Sequence, residues 1–272
     1  MSTAPAWLAI HRGEAPLLLA FPHGGTEIPS VIESQLTSPW LARKDADWWI
    51  AELYAFAREL GATTVATGIS RSVIDVNRDP SGASLYPGMT TTGLCPSETF
   101  DGEPLYVGNV PDETEIAARR AQWFAPYHAA LEAELARLRA QHDRVVLYDA
   151  HSIRSRVPRL FDGLLPQFNI GTYGTSSCDA ALERAVADCC AASGASYVVN
   201  GRFKGGWTTR HYGQPARGIH AIQMELGMRG YLDEPDVVDD TNWPAPISPK
   251  PAIAPTLRAI LNACLAFAEG TL

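Results

Sequence analysis

The segment Asp149-Ala150-His151-Ser152 follows directly on the apolar run Val145-Val146-Leu147-Tyr148. A buried strand that ends this way delivers polar, metal-competent side chains at its carboxyl edge, where open α/β sheets place their ligands. Two more runs behave alike. Leu17-Leu18-Leu19-Ala20-Phe21 leads into Pro22-His23-Gly24-Gly25, and Ile219-His220-Ala221-Ile222-Gln223-Met224 leads into Glu225. Three strand ends that carry His or Glu predict a hydrolytic metal site. Catalytic zinc sites take three protein ligands and keep one position open for water. His23 and His151 are the candidate nitrogen ligands, since each follows a strand. The third ligand has to be a carboxylate. Asp47, in Asp45-Ala46-Asp47-Trp48-Trp49, and Glu27, in His23-Gly24-Gly25-Thr26-Glu27, both qualify. Asp149 could instead orient a ligand from behind. Glu225 is costly in an apolar strand unless it is paired or exposed at the strand end. Beside an activated water it fits a general base; otherwise it is an ordinary strand-terminal carboxylate.

Arginines supply a second kind of chemistry. Arg71 and Arg78 bracket Ser72-Val73-Ile74-Asp75-Val76-Asn77. Guanidinium forks match carboxylates bidentately, and the Asn77 amide can add a donor. Ion pairing of these arginines with Asp75 and Asp79 at the surface is the competing reading. Two long stretches lack periodicity: 79–110, rich in Gly, Pro, Ser and Thr, and 200–218, rich in Gly and cations. Loops of this length in a compact domain are usually functional. The second carries Lys204, Arg210 and His211, with Arg210 a further cation for the same cleft. His11, His128 and His142 have no partner pattern and read as structural. Dinucleotide, phosphate-loop and nucleophile-elbow motifs are absent.

Composition narrows the class. At 272 residues, with 46% hydrophobic and 19% charged residues, the chain suits a soluble α/β protein of one large domain or two small ones. The formal net charge of −8 argues against a general nucleic-acid binder, though not against small anionic substrates. No apolar run approaches the ~20 residues of a membrane helix. The first residues lack a basic stretch followed by an apolar core, so no signal peptide is expected. The five cysteines (Cys95, Cys178, Cys189, Cys190 and Cys264) are odd in number and irregularly spaced. They read as reduced and structural, with Cys189 and Cys264 on apolar helical stripes, and a reducing cytoplasm fits them.

Strand-like segments fall at 17–21, 63–67, 73–76, 144–149, 168–171, 196–199 and 219–225. Helical segments fall at 44–60, 112–142, 177–192 and 251–268. The clearest is 112–142, where Trp123, Tyr127, Leu131, Leu135 and Leu138 recur at helical spacing. Asp112, Glu113 and Glu115 crowd its first turn, where they favour the positive helix end. Strand–helix alternation predicts an α/β fold: a single domain over 1–272 with a mixed, mostly parallel central sheet and helices on both faces.

These motifs together resemble the N-formylglutamate amidohydrolases. The resemblance runs from about residue 17 to about 235. It rests on Phe21-Pro22-His23-Gly24-Gly25, Asp47-Trp48-Trp49 with Glu52-Leu53-Tyr54, Ser70-Arg71 with Asp75, Asn77 and Arg78, Asp149-Ala150-His151-Ser152, Phe203-Lys204-Gly205-Gly206-Trp207-Thr208-Thr209-Arg210-His211-Tyr212-Gly213, and Gln223 with Glu225. It implies a zinc-carboxypeptidase-like (phosphorylase/hydrolase-like) fold and a divalent metal, zinc for choice. It implies His23, Asp47 and His151 as ligands, with Asp47 preferred to Glu27, although the HxxE pair of carboxypeptidases is absent. It implies Glu225 as base, and Arg71, Asn77, Arg78, Arg210 and His211 around the substrate. The expected reaction releases formate from N-formyl-L-glutamate, a step that would end one route of histidine breakdown. Hydrolysis of another N-acyl amino acid or a small peptide is one alternative. A non-catalytic protein that binds acidic amino acids is another. The expected partner is a small carboxylate-bearing molecule, with neither nucleic acid nor membrane involved.

Overall fold

The computed structural model describes residues 4–272. Seven strands form one sheet in the order β1-β3-β2-β4-β7-β5-β6. They are β1 (Leu8–His11), β2 (Leu17–Phe21), β3 (Thr63–Thr67), β4 (Val145–Ile153), β5 (Phe168–Gly171), β6 (Tyr197–Val199) and β7 (Ile219–Gly227). The central strands β3, β2, β4 and β7 run parallel to one another. β1 is antiparallel to β3, and β5 is antiparallel to β7 while parallel to β6. The sheet is therefore mixed and mostly parallel, as the alternation of elements predicts.

Period-2 alternation divides each central strand between two cores. Leu17, Leu19 and Phe21 of β2 join Val146 and Tyr148 of β4 and Ile222 and Met224 of β7 on one face. The helices Ala180–Ala192 and Ala254–Glu269 cover that face with Leu182, Val186, Cys190, Leu257, Ile260, Leu261 and Cys264. Leu18, Ala20, Val145, Leu147 and Ala221 point the other way and meet Tyr127, Leu131, Leu135 and Leu138 of the long helix 113–139. Burying each such Leu contributes about 1.5–3 kcal/mol. Asp112 caps that helix by accepting from the Glu115 amide at 2.9 Å. The helix widens at Arg120–Phe124. Pro126 follows there and has no amide to bond back one turn. Among the described residues, no helix is long and apolar enough to cross a membrane. All five cysteines are unpaired. Cys190, rather than the expected Cys189, is the fully buried member of its pair.

Several elements depart from expectation. Residues 73–76 form turns, not a strand. Their apolar character is real, because Val73, Ile74 and Val76 are core residues. The polar member Asp75 is buried as well, at the centre of an ion-pair network that a strand would not allow. The segment 44–60 is not one helix. It breaks into short turns of helix, Leu41–Lys44, Ile50–Leu53 and Ala55–Arg58, with Trp49 left-handed at φ 61°. The break exposes Asp47 to the sheet edge. β1 was not foreseen; it is short and lies at the sheet edge, with only Leu8 buried. Residues 200–218 contain the helix Trp207–Tyr212.

Candidate metal centre and substrate cleft

β4 and β7 run further than the stretches 144–149 and 219–225, so His151 lies within its strand rather than after it, and Glu225 stands two residues before its strand ends. In the parallel register His151 is opposite Glu225, and Asp149 is opposite Gln223. Alternation puts all four on the face of Leu147 and Ala221. β2 ends at Phe21, after Ala20 opposite Asp149, and releases His23 beside them. The Asp47 amide donates to the His23 carbonyl at 3.0 Å, which fixes the broken helical segment against this edge.

His23, Asp47 and His151 each bring one ligand atom into a group whose members lie within 4.8 Å of one another. All three side chains are buried. His23 Nδ1 and His151 Nδ1 face the same Asp47 oxygen, at 3.8 and 3.2 Å. The Ser152 amide donates to that oxygen at 3.1 Å. The far nitrogens are held by other carboxylates: His23 Nε2 lies 2.6 Å from Asp75 Oδ1, and His151 Nε2 lies 3.1 Å from Asp149 Oδ1. Ligating histidines characteristically hand their second nitrogen to a carboxylate in this way. Asp149 Oδ1 is buried without a well-aligned partner, so a proton on His151 Nε2 is the donor that suits it. That tautomer leaves Nδ1 as the nitrogen able to ligate, whereas a protonated Nδ1 donates to Asp47 Oδ2 at 3.2 Å. Asn77 Nδ2 is close to both, 2.8 Å from His151 Nε2 and 3.3 Å from Asp149 Oδ2. It can donate to Asp149 while the imidazole does the same. Glu27, the other carboxylate considered, is exposed and bridges to Ile69, away from the two histidines.

The electrostatics suit a cation. Burial alone would lower the His151 pKa, but Asp149, Asp47 and Glu225 outweigh it and hold the imidazole well above its usual value. The position favours positive charge, whether a proton or a metal ion. Burial, helped by Arg71, lowers His23 to about 4, so this ring is a neutral donor near pH 7. Burial pushes Glu225 up to about 8; Asp47 and Asp149 add to the rise, and His151 and Arg71 oppose it. Burial would raise Asp75 too, yet Arg78, His23 and Arg71 hold it well below the carboxylate range. Two histidines, a carboxylate and flanking acceptors make a donor set suited to Zn²⁺ and its neighbours.

Glu225 opens into a cleft beside His23 and His151, lined also by Arg71, Arg78 and Arg202. Gln223 Nε2 donates to Glu225 Oε2 at 3.2 Å, and the Gly206 amide holds Gln223 Oε1 at 2.7 Å. Arg71 Nη2 reaches Asp75 at 2.8 Å, and its guanidinium lies over Phe100. Arg78 is fixed by the Thr92 carbonyl and hydroxyl and stands 3.5 Å from Asp75. Both arginines thus line the cleft and are also ion-paired, though to the buried Asp75 rather than at the surface.

Other expected residues are placed differently. Asn77 lines the cleft, but its amide is engaged: Oδ1 accepts from the Thr208 amide at 2.7 Å, and Nδ2 faces His151 and Asp149. Its contacts are with His151 and Asp149 rather than with the open cleft. A Cβ at Gly206 would fall 2.5 Å from Asn77 Nδ2, so only glycine leaves room there. Arg210 does not line the cleft. Its Nε and Nη1 bind the carbonyls of Gly205 and Leu85, each at 2.8 Å, and it stacks on Tyr86 and Tyr173. His211 is exposed and stacks on Trp207, also off the cleft. The reason is helical: Thr208, Thr209 and Tyr212 form the buried face of Trp207–Tyr212, which turns Arg210 and His211 outward. Sequence reasoning missed Arg202, Phe100 and Tyr86, and it named Gln223 beside Glu225 without a role. For Gln223 a signal was present, two residues before Glu225 on the same strand face.

The comparisons agree with this architecture. A family model for N-formylglutamate amidohydrolase matches residues 15–232. A Pseudomonas aeruginosa protein named N-formylglutamate deformylase is 46% identical over 260 residues, covering 95% of this chain and 94% of that protein. A Pseudomonas putida protein of the same name is 48% identical over 229 residues, covering 84% and 85%. Among solved structures, an N-formylglutamate amidohydrolase from Ralstonia eutropha has the same fold, with TM-score 0.77 at 23% identity and 98% of each chain covered. A gene product of Agrobacterium tumefaciens follows at TM-score 0.72 and 18% identity, with 96% of each chain covered. The chain belongs to the N-formylglutamate amidohydrolase family.

Proposed function

We propose a metal-assisted mechanism for an activity that the family relationship gives: hydrolysis of N-formyl-L-glutamate to L-glutamate and formate. The observation that supports metal assistance is the convergence of His23, Asp47 and His151 beside Glu225 in an arginine-lined cleft. His23 and His151 through Nδ1, and Asp47 through a carboxylate oxygen, would hold a divalent cation, with Zn²⁺ the best match to the donor set. Such an ion supplies Lewis acidity toward the formyl oxygen and brings the pKa of a water from ~15.7 toward ~7.

The chain's own groups do the rest. Glu225 takes a proton from the attacking water and passes it to the departing amine as the C–N bond breaks. Gln223 aims the carboxylate. Asp75 and Asp149 fix the two imidazoles, and Asn77 locks Asp149 in place. Arg71 and Arg78 present guanidinium edges to the substrate carboxylate nearest the amide, which fixes the formyl group over the reacting groups. Residues 1–272 act as one domain in this reading, since the three ligands come from 23, 47 and 151 and the base from 225. We also place the enzyme in the cytoplasm, in keeping with its five unpaired cysteines.

Chelation tests the mechanism. Protein stripped of metal should lose formate release from N-formylglutamate and regain it when Zn²⁺ or Co²⁺ is returned. Full turnover by protein shown to be metal-free would refute metal assistance and leave the family assignment standing. N-acetylglutamate and glutamyl dipeptides, run beside it, define the acyl group accepted.

A further inference from the structure

Three guanidinium groups line the cleft, and they are not equivalent. Arg71 and Arg78 share Asp75. Arg202 has no carboxylate partner among the described residues. Its Nε donates to the Leu160 carbonyl at 2.9 Å, and its Nη2 donates to the Thr90 carbonyl at 2.8 Å. The Tyr86 and Phe203 rings lie 5.6 and 5.3 Å from Cζ. Two hydrogen bonds and two rings hold the fork, while Nη1 has no hydrogen-bond partner among the described residues. Arg202 is half-buried, and burial together with the like charge of Arg78 depresses its pKa. The cation is thus under-compensated and pre-set, the condition in which an incoming carboxylate gains most.

We infer that Arg202 is the receptor for the side-chain carboxylate of the substrate and sets the preference for an acidic over a neutral side chain. This rests on the activity stated above and assigns a residue to its specificity. The chemistry of the substrate supports the division. One carboxylate sits on the carbon that bears the amide nitrogen, so it has to bind close to Glu225, where Arg71 and Arg78 are. The other ends the side chain and needs a separate cation further along the cleft. Arg210 cannot supply it, because it lies outside the cleft, bonded to Gly205 and Leu85. The Tyr86 hydroxyl ties the two loops that build the receptor, donating to the Gly205 carbonyl at 3.0 Å and accepting from the Lys204 amide at 3.1 Å.

The test compares kcat/KM for N-formyl-L-glutamate and N-formyl-L-glutamine, which differ by one charge at nearly equal shape. Wild type should favour the glutamate substrate. Arg202→Gln should lower kcat/KM for N-formylglutamate by about 10- to 100-fold and for N-formylglutamine by less than about 3-fold, so that the preference collapses. Arg202→Lys keeps the charge without the fork and should recover part of the preference. An equal loss on both substrates would reduce Arg202 to a loop tether and overturn the inference. So would a lysine variant no more selective than the glutamine variant. A selective wild type with an equally selective Arg202→Gln enzyme overturns the role of Arg202 alone. A wild type equally fast on both substrates overturns it together with the dicarboxylate preference.

Discussion

β4 has two halves that answer to different rules. Residues 145–148 are apolar and face a core on each side, with Val146 and Tyr148 in one and Val145 and Leu147 in the other. Residues 149–152 keep the same pleat and the same complete burial, yet they carry Asp149, His151 and Ser152. Helices close over the first half on both faces. Irregular chain from 68–110 and the short helix Trp207–Tyr212 cover the reactive face of the second. Buried polar groups are tolerated only when partnered. Each polar side chain of the second half accordingly has its contacts: Asp47 and Asp149 for His151, Thr209 and Asn77 for Asp149, Tyr231 for Ser152. The apolar half supplies stability; the polar half costs stability and is held by a network reaching from residue 47 to residue 231.

Substitutions should separate the two halves cleanly. The largest effect belongs to Glu225→Gln on β7, the register neighbour of His151. It keeps size and hydrogen bonding but cannot accept the water's proton, so kcat should fall by about 10²- to 10⁴-fold with metal content unchanged. Single-turnover rates show this directly, and a rate within a few-fold of wild type would remove Glu225 as base. In the apolar half, Leu147→Ala should cost about 2–5 kcal/mol in urea unfolding while the folded enzyme keeps its specific activity. A folded Leu147→Ala protein with a crippled active site would show that the halves are coupled.

Smaller effects sharpen the same contrast. Gly206→Ala crowds Asn77, whose amide braces Asp149 and His151. A displacement of about 1 Å there should reduce kcat by roughly 10- to 100-fold, and the overpacking should cost about 1–3 kcal/mol of stability as well. Unchanged kinetics would mean that Asn77 does not position the centre. The smallest effect lies outside both halves. Asp101 accepts from Lys44 at 2.6 Å and from Arg154 at 2.8 Å. Burial alone would raise its carboxyl, and the two cations outweigh this and hold it low. Its contribution is therefore present above the ordinary Asp value of about 3.9 and is lost as pH falls through the depressed folded value. Asp101→Asn should lower the urea midpoint slightly at pH 7, and the gap to wild type should close in acid. A gap that is constant with pH would assign the loss to packing.

How much of this was legible depended on what each residue needed. The central strands and the three long helical stretches were readable because burial imposes a period that the sequence must carry. His23, His151 and Glu225 were readable because their types are out of place beside apolar runs. Asp47 and Glu27 could not be separated by spacing, since the choice rests on a broken helix that turns Asp47 toward the sheet edge. Residues 73–76 imitate a strand because a buried turn is as rich in β-branched residues, with Asp75 facing an ion-pair hub instead of solvent. Arg210 and His211 were read as cleft residues because a Gly-rich loop gave no sign of the short helix that turns them away. Arg202 sits four residues before that helix's N-cap and has no pattern of its own; only the meeting of the 79–110 and 200–206 loops gives it a role.

The central claim is that His23, Asp47 and His151 hold a divalent cation together. The direct measurement is metal per chain, by elemental analysis, in wild type and in His151→Ala purified alike and shown by circular dichroism to be folded. The account predicts about one equivalent in wild type and a loss of most of it in the variant. A folded His151→Ala protein that keeps its full complement of metal would contradict the account.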